Sequence, residues 1–511
     1  MLFTRLPVIF LCFLLLFCAA GIPATAKAAP AEITHEGADK LQALFENIIK
    51  TRQEKPANES PADQAETKEP AYQFDGEVTV ELADSYYAVT LPYITLKNYF
   101  GLYDLKVGII AINVTPHETP GRWNMALALP PQLFVSNAEG KTMATIDIGA
   151  QLTTGVWDET LNYIAASDAI YQDVSITNAN NVKTLRLGEI TIKTDGLEKS
   201  TPAAFSGTAD VALNKLELVN PDLSVTKLGF LKMAAQVEGL ERFWEQAMAD
   251  TADPVPALPF LDNPPAQMEV RYDVTDFGVF NPKTDKTVFA LDDLGLRVKG
   301  QDLKTDNGML DIDLNYSGME SENFLTPLNI SDMALAVVIT KIPVLQLLAM
   351  QKNAAESESA GLSLMFKIPS ILSQTGTIIR VENSKTVGPD YSGAISAEIQ
   401  GDITAVNAIT VQGGARVNDM DNFIKRMQGY NGMIAGMLEL AKPFAKNSGG
   451  EEGQPLISRF TFTMDKTGKV LVNDQDISKP VQDATTAAQG DAGENPAPSP
   501  DATSEDTAPA R

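Results

Sequence analysis

Cysteine and histidine are almost absent from this sequence of 511 residues. Both cysteines, Cys12 and Cys18, lie within the first 20 residues, and the only histidines are His35 and His117. A chain without cysteine beyond residue 18 has no disulfide framework, zinc-thiolate site or cysteine nucleophile there. His35 precedes a helix pattern and His117 lies in a Pro-flanked turn, so histidine-based triads and zinc sites are not expected.

Basic residues are scarce as well, because 40 lysines and arginines stand against 66 aspartates and glutamates, for a net charge of −26. Phosphate backbones repel so acidic a chain, and we expect no nucleic-acid partner. Anionic lipid headgroups repel it too, except where basic residues cluster locally. At 44% hydrophobic and 21% charged, the composition is that of a globular protein with a large core.

Long hydrophobic runs are missing apart from one near the N-terminus. Residues 6–20 are mostly apolar, follow Arg5, and precede two small-x-small sites at Ala24–Ala26 and Ala26–Ala28. The run is short for a bilayer span and typical of a cleavable signal peptide, which we place at residues 1–28. Export to a Gram-negative periplasm follows, with no transmembrane span after cleavage. Lipid attachment at Cys18 and an uncleaved membrane anchor are the alternatives.

Four further segments follow the signal. Residues 29–52 contain an amphipathic helix with Leu41, Leu44, Phe45, Ile48 and Ile49 on one face. Residues 53–70 have no apolar periodicity and are expected to form a disordered linker. Residues 71–478 are rich in β-structure, with a candidate division near 250–265. Residues 479–511 consist mainly of Ala, Pro, Ser, Thr, Asp and Gly, which predicts a disordered acidic tail.

Period-two alternation recurs through the β-rich region and predicts many short strands joined by Gly, Asn and Asp turns. We therefore predict a β-rich α+β fold with large curved antiparallel sheets and a few covering amphipathic helices. Predicted strands occupy residues 78–82, 87–91, 107–114, 123–129, 143–152, 185–192, 207–218, 268–274, 294–298, 309–316, 334–339, 376–381, 394–399, 409–417 and 460–464.

Three places show a strand followed by an apolar helix pattern with i, i+3, i+6 spacing. They are Val237/Leu240/Phe243, Ile339/Ile342/Leu345 and Val417/Met420/Phe423. Two interpretations stay open at this point: a degenerate structural repeat, or the common appearance of strand-to-helix joints.

The last of these helices has a heptad-like apolar seam. Gly429, Gly432 and Gly436 weaken the helix, and Pro443 is expected to end or kink it. The seam could contact a partner or an acyl chain, or it could cover a sheet. The candidate hydrophobic contact face consists of Phe423, Met427, Tyr430, Ile434, Met437 and Phe444.

The sequence lacks the common catalytic motifs, and one short stretch resembles such a motif. Residues 465–469 resemble the phosphorylated-aspartate motif of P-type ATPases, but Lys469 stands where that motif has threonine. The stretch lies between two strand-like runs, so we interpret it as a hairpin turn with Gly468 at positive φ. The sequence singles out no catalytic, cofactor-binding or metal-binding residue.

Two stretches resemble known bacterial envelope proteins. The hairpin of Phe460–Met464 and Gly468–Asn473 is similar to the closing hairpin of YdgA-like proteins, and the strand-to-helix units resemble those and the wider AsmA-like group. The segment from Phe74 to Pro92 looks like the start of exported Gram-negative proteins. The resemblance implies a periplasmic location, long antiparallel sheets and a role in envelope or lipid homeostasis. Those families define no catalytic residues.

We therefore expect a non-enzymatic periplasmic protein without a cofactor, whose apolar face binds a lipid or another hydrophobe in envelope maintenance. One alternative is an interaction or scaffold protein that docks an envelope protein through its first or last helix. A second is a carboxylate-based hydrolase, because the spatial pairing of Asp and Glu is invisible in a sequence.

Overall fold

The computed structural model describes residues 33–54, 72–97, 103–159, 163–201, 204–220, 222–241, 264–284, 286–321, 328–355, 360–449 and 456–478. The predicted signal peptide and tail lie outside these ranges, as do almost all of the predicted linker and of the division near 250–265.

The described helices are α1 (His35–Glu54), α2 (Val344–Ala355), α3 (Ala360–Thr375), α4 (Met420–Tyr430) and α5 (Gly432–Ala441), followed by a 3-10 turn (Lys442–Phe444). The strands are β1 (Tyr72–Asp75), β2 (Thr79–Leu82), β3 (Tyr87–Thr90), β4 (Tyr93–Leu96), β5 (Tyr103–Gly108), β6 (Ala111–Pro116), β7 (Arg122–Ala128), β8 (Gln132–Asn137), β9 (Thr142–Asp147), β10 (Ala150–Asp158), β11 (Tyr163–Asn178), β12 (Lys183–Thr201), β13 (Ala204–Val219), β14 (Val225–Glu241), β15 (Gln267–Asn281), β16 (Lys286–Gln301), β17 (Gly308–Ser317), β18 (Glu320–Ser321), β19 (Asp332–Ile342), β20 (Ile378–Val387), β21 (Ser392–Gly401), β22 (Ile409–Asn418), β23 (Lys446–Ser448), β24 (Ile457–Met464), β25 (Val470–Val472) and β26 (Gln475–Asp476).

Hydrogen bonds join these strands into one connected antiparallel network, which confirms the predicted β-rich α+β fold. Antiparallel pairing follows from the short connections, since tight turns can only return the chain beside the strand it has just left. Alternation of apolar and polar residues gives most strands one face for the core.

The first unit is a two-branched sheet around a buried core. β11 pairs with both β10 and β9 along one edge, and the two branches continue as β10–β7–β6–β3–β2 and β9–β8–β5–β4–β1. Their inner faces share one core, with Val89 and Val114 from one branch and Leu105 and Leu133 from the other. α1 packs on β1 and β2, the last strands of the two branches, and adds Leu41 to the core.

Polar contacts fix the start of α1 on this unit. The backbone N–H of Thr34 donates to the hydroxyl of buried Tyr87 at 2.9 Å. Lys40 and the indole N–H of Trp123 both donate to Glu159, at 2.9–3.1 and 2.7 Å. Partial burial acts to raise the pKa of Glu159, but the hydrogen bonds from Lys40 and Trp123 outweigh it and hold the pKa below its ordinary value.

A long meander leaves this unit through β11. Strands of 8 to 19 residues follow in the order β11–β12–β13–β14–β15–β16–β17–β19–β20–β21–β22–β24, and β24 is followed by β25 and β26. Such long, uninterrupted hairpins place residues far apart in sequence on one shared surface.

The three predicted strand-to-helix joints have different outcomes. Ile342 ends β19 just before α2, and Asn418 ends β22 just before α4, as predicted. At the first joint Val237 and Leu240 belong to β14, as Ile339 and Ile342 belong to β19, and Phe243, where the predicted helix would follow, lies outside the described residues. β14 has one extra residue here, next to Gly239, whose φ is 68°. Val237 and Leu240 are therefore three positions apart, although their partners on β13 are two positions apart.

Candidate functional site: the apolar face of the meander

The register of the meander separates two chemically distinct faces. Residues paired across neighbouring strands point to the same side of the sheet. Once the side of one residue is known, the sides of all residues paired with it follow. From β14 to β24, the paired residues on the side that continues the first core include no Asp, Glu, Lys, Arg or His, in the part of the chain that the structure describes. We call this side the apolar face and the opposite side the polar face.

One row across the strands illustrates the apolar face. Val270, Val298, Ile312, Val337 and Val381 lie side by side on β15, β16, β17, β19 and β20. β-Branched side chains suit a pleated sheet, because their rotamers are few and they pack against cross-strand neighbours. The row is therefore a strip of aliphatic surface, about 24 Å wide at a strand spacing of about 4.8 Å.

The polar face carries the ion pairs of the sheet. Arg297 contacts Glu269, Asp311 and Asp313 at 3.2, 3.4 and 2.9 Å, and Arg380 contacts Glu398 at 2.6 Å. Burial acts to lower the pKa of Arg297, but the three carboxylates outweigh it and raise the pKa above its ordinary value. Each of these pairs is partly exposed, so its main effect is to keep this side of the sheet solvated.

The two ends of the apolar face are covered. At the N-terminal end, Val211 and Leu213 of β13 are buried in the first core. At the other end, Val417 and Phe460 lie beneath α4 and α5, together with Ile424 of α4, in a second core cluster. Both ends thus behave as ordinary sheet faces with a second layer.

Between these ends the apolar face remains open. Within the described ranges, the middle residues belong to neither core cluster, and every one of them is only partly buried. Five strands over about eight residues amount to about 600 Å², at the upper limit for an apolar patch on a monomer. The open face consists of Val270, Tyr272, Val274, Phe277, Leu294, Leu296, Val298, Leu310, Ile312, Leu314, Tyr316, Met333, Leu335, Val337, Ile339, Ile379 and Val381.

A row of extra residues crosses the sheet beside the open face. In each of six successive strands, β11 to β16, two consecutive apolar-face residues lie three sequence positions apart instead of two. These six insertions lie side by side, at the same level of the sheet. Because every strand has the same insertion, the pairing between neighbours stays in register. The flanking pairs are Tyr171/Val174, Leu187/Ile190, Leu213/Leu216, Leu228/Leu231, Val274/Phe277 and Leu291/Leu294.

The conformation of this bulge row alternates from strand to strand. Asp173, Lys215 and Asp276 adopt left-handed φ values of 52°, 58° and 52°, and glycines 188 and 229 lie on the strands between them. A Cβ atom on Gly229 would lie 2.7 Å from the Cβ atom of Asp276. The glycine therefore makes room for its left-handed neighbour, and the aligned bulges bend the sheet along one line.

Surface depressions occur on the polar face of the meander and at its bulge row. One, of about 590 Å³, is lined by Arg380, Glu398, Gln412 and their neighbours and is open to solvent. A second, of about 470 Å³, lies at the bulge row and is lined by Lys227, Asp276 and Phe280 among others. Neither depression is enclosed, so the open face offers the larger continuous surface for a ligand.

The predicted contact face of the last helix is divided in the structure. A single helix to Phe444 was expected, but Asn431 ends α4 and begins α5, because its side chain accepts from the N–H groups of Met433 and Ile434. Three of the predicted residues, Phe423, Met427 and Phe444, pack on the second core cluster. The other three, Tyr430, Ile434 and Met437, are 57%, 39% and 39% exposed.

The remaining candidate residues lie in turns or at a helix start. His35 begins α1, and the Nδ1 atom of His117 accepts from the N–H of Thr119 between β6 and β7. Asp465 accepts from Thr467 and Lys469 in the hairpin turn, and Gly468 has a φ of 78°, as predicted. No group of three or more potential metal ligands occurs among the residues with described positions.

Comparisons with protein-family models, with curated proteins and with solved structures give no match. Over the described ranges, no helix combines the length and the apolar character that crossing a bilayer requires. The chemistry of the open face is therefore the main guide to function.

Proposed function

We propose that this protein binds the acyl chains of a lipid on its open face, as a non-enzymatic component of the bacterial envelope. The observation that carries the proposal is the open face itself, an uncharged surface spread over β15, β16, β17, β19 and β20. A soluble protein rarely exposes so large an apolar patch without a partner for it. The periplasmic part of the proposal rests on the signal-like segment of residues 1–28.

The shape and chemistry of the open face favour an acyl chain over a compact ligand. An enclosed pocket with a few convergent polar groups is typical of small-molecule sites, whereas this surface is broad, and its side chains are aliphatic or aromatic apart from Met333, with hydroxyls only at Tyr272 and Tyr316. Its width of about 24 Å exceeds one leaflet of a bilayer core, which is about 15 Å thick. An extended hydrocarbon chain lying across the strands would cover one complete row of side chains.

The carboxylate-based hydrolase has less support. The carboxylates that cluster on the polar face, Glu269, Asp311 and Asp313, share the guanidinium of Arg297. A glycosidase-like site instead needs an acid with a raised pKa beside a second carboxylate in a substrate cleft. The cluster around Arg297 is better explained as a cross-strand ion-pair network.

Native mass spectrometry of protein purified from its own host, without detergent, tests the proposal directly. We expect a mass increment equal to one or more lipids, which organic solvent removes, and uptake of a fluorescent long-chain fatty acid by the stripped protein. Absence of both a co-purified lipid and fatty-acid uptake would overturn the proposal. The reason for the expected result is the apolar area that the lipid would withdraw from water.

A further inference from the structure

Three basic side chains form a row on the polar face near the C-terminal end of the meander. Lys385 of β20 lies opposite Ala394 of β21, and Ala394 lies opposite Arg416 of β22. Arg416 in turn lies opposite Arg459 of β24. Paired residues point to the same side of a sheet, so the three cations share one surface, and all three are exposed. We call Lys385, Arg416 and Arg459 the basic row.

The basic row is not neutralised by ion pairs. Over the described ranges, none of its three side chains has a carboxylate oxygen within 4.0 Å of its nitrogen atoms. Lys446 of β23 lies opposite Arg459 as a fourth cation, but it pairs with Asp474 at 3.8 Å and is not counted in the row. In a chain with 66 acidic and 40 basic residues, such a row is not a result of composition.

The carboxylates at the ends of these strands have other partners. Asp419, just after β22, caps α4 with its side chain, and Asp390, between β20 and β21, makes a bidentate pair with Arg426 at 2.6 and 3.0 Å. Glu382 is the one carboxylate on β20 itself, three positions before Lys385, and it forms no ion pair with any described residue. The positive charge of the basic row therefore faces solvent.

Two arginines directly opposite each other are an unfavourable pairing in an antiparallel sheet. Like charges at paired positions destabilise the sheet, whereas opposite charges stabilise it. The favourable kind occurs two rows away, where Arg380 of β20 lies opposite Glu398 of β21 and contacts it at 2.6 Å. An anion bound between Arg416 and Arg459 would relieve the repulsion between them.

We propose that the basic row binds a compact, water-soluble ligand that bears phosphate groups. Arg416 and Arg459 lie on neighbouring strands, with Cα atoms about 5 Å apart, and supply forked N–H donors of the kind that match phosphate oxygens. A phosphate ester has a charge of about −1.5 to −2 at neutral pH and therefore balances two arginines better than one carboxylate does.

A depression of about 230 Å³ beside Arg416 gives the ligand room. Its lining includes Lys385, Ala394 and Arg416, together with Ser392 and Asn418. Because Ala394 is short, Lys385 and Arg416 stand on either side of it, with their Cα atoms about 10 Å apart at two strand spacings. The volume equals that of roughly eight waters at about 30 Å³ each, enough for a phosphate group with a small substituent.

Two larger anions fit the basic row less well. A flat anionic bilayer would also meet acidic residues of the polar face, such as Asp273 and Asp313, and the net charge of −26 opposes it. The C-terminal segment spreads six carboxylates over residues 483–506, so that only Glu505 and Asp506 are close enough in sequence to face both arginines. A compact phosphate ligand meets the basic row alone.

Isothermal titration calorimetry of the full chain with pyrophosphate, at low salt and without fatty acid, tests the site. The wild type is expected to bind pyrophosphate, and rising salt is expected to weaken the binding. The double variant Arg416→Gln/Arg459→Gln is expected to bind about fivefold more weakly, because exposed charge pairs are individually weak. A matched control is Lys141→Gln/Lys183→Gln, which removes two exposed charges from the β8–β9 turn and the start of β12 and should bind like the wild type.

Thermal melts separate ligand binding from a structural role of the two arginines. Without ligand, the double variant Arg416→Gln/Arg459→Gln is expected to melt at or above the wild-type temperature, because the repulsion between paired like charges is gone. Pyrophosphate is expected to raise the melting temperature of the wild type, since it binds the folded state, and to raise that of the double variant less.

Several outcomes would overturn the phosphate site. They are equal pyrophosphate affinity of the arginine variant and the wild type, an equal loss in the lysine control, or acetate binding as tight as that of pyrophosphate. Binding to phosphatidylglycerol vesicles that depends on Arg416 and Arg459, without pyrophosphate binding, would assign the basic row to a membrane surface instead. The site lies on the polar face, so its failure leaves lipid binding on the open face untouched.

Discussion

Replacement of Ile312 by lysine is expected to weaken the binding of a fluorescent long-chain fatty acid at least about tenfold, which corresponds to about 1.4 kcal/mol. Ile312 lies in the centre of the open face, directly between Val298 and Val337 on the neighbouring strands. An ammonium at this position either points into the hydrocarbon chain, where burying an unpaired charge is costly, or bends outward and occupies its place. The measurement is a fluorescence titration, with a thermal melt to verify folding.

Two control variants on the same strand make this result specific. Ile312→Met keeps the side chain apolar and should retain the wild-type affinity. Asn315→Lys introduces the same charge on the polar face of β17, opposite Gly295, and should also bind normally. The lipid-binding account would be wrong if Ile312→Lys bound the fatty acid as the wild type does, or if Asn315→Lys lost it to the same extent.

Substitution of Gly229 by alanine is expected to destabilise the protein by about 1–3 kcal/mol, the usual effect of overpacking at a fixed backbone. The new Cβ atom would lie 2.7 and 2.8 Å from Cβ and Oδ2 of Asp276, which is held at a φ of 52°. Asp276→Gly removes this contact and the left-handed strain, so the double variant Gly229→Ala/Asp276→Gly should recover most of the loss. Thermal melts of the four proteins complete the cycle.

Gly436 provides the reference for this experiment. It lies in α5, and a Cβ atom there would meet nothing within 4 Å. Gly436→Ala should therefore stabilise the protein by up to about 1 kcal/mol, because alanine favours helix. If Gly229→Ala melted at the wild-type temperature, or if Asp276→Gly gave no recovery, the pairing of glycines with left-handed residues along the bulge row would have no energetic basis.

The bulge row also explains where the sequence pattern failed. Strands were predicted at 268–274 and 294–298, but β15 continues to Asn281 and β16 begins at Lys286. Each prediction covers only the part of its strand on one side of the inserted residue. Beyond the insertion the apolar residues change from even to odd sequence positions, which interrupts the period-two pattern. Within each regular half of β15 and β16, the apolar-face residues alternate with period two.

A related ambiguity concerns Val237 and Leu240, which have helical spacing in the sequence and lie in β14. An extra residue in a strand gives a spacing of three, which is also the spacing of neighbouring residues on a helix face. Local pattern alone does not separate these cases. The difference appears only when the partner strand is known, as for Val237 opposite Met268 on β15.

The candidate site could be predicted from the sequence only in part. Alternation in β15, β17 and β19 predicts an apolar side, but it does not tell which part of that side a second layer covers. That depends on contacts such as Phe460 beneath the last helices, between residues distant in sequence. The seam from Phe423 to Phe444 predicted one apolar helix surface, but the structure breaks the helix at Asn431. Phe423, Met427 and Phe444 pack on the second core cluster, whereas Tyr430, Ile434 and Met437 are exposed.

Photo-crosslinking with a diazirine-bearing fatty acid, followed by peptide mass spectrometry, tests the central claim most directly, because it locates the bound chain on the protein. Crosslinks are expected on apolar-face residues of β15, β16, β17, β19 and β20, such as Leu296, Leu314 and Leu335, and an excess of unlabelled fatty acid should compete them away. Crosslinks confined to the polar face or to α5, or crosslinks that resist competition, would contradict the claim that the open face is the lipid site.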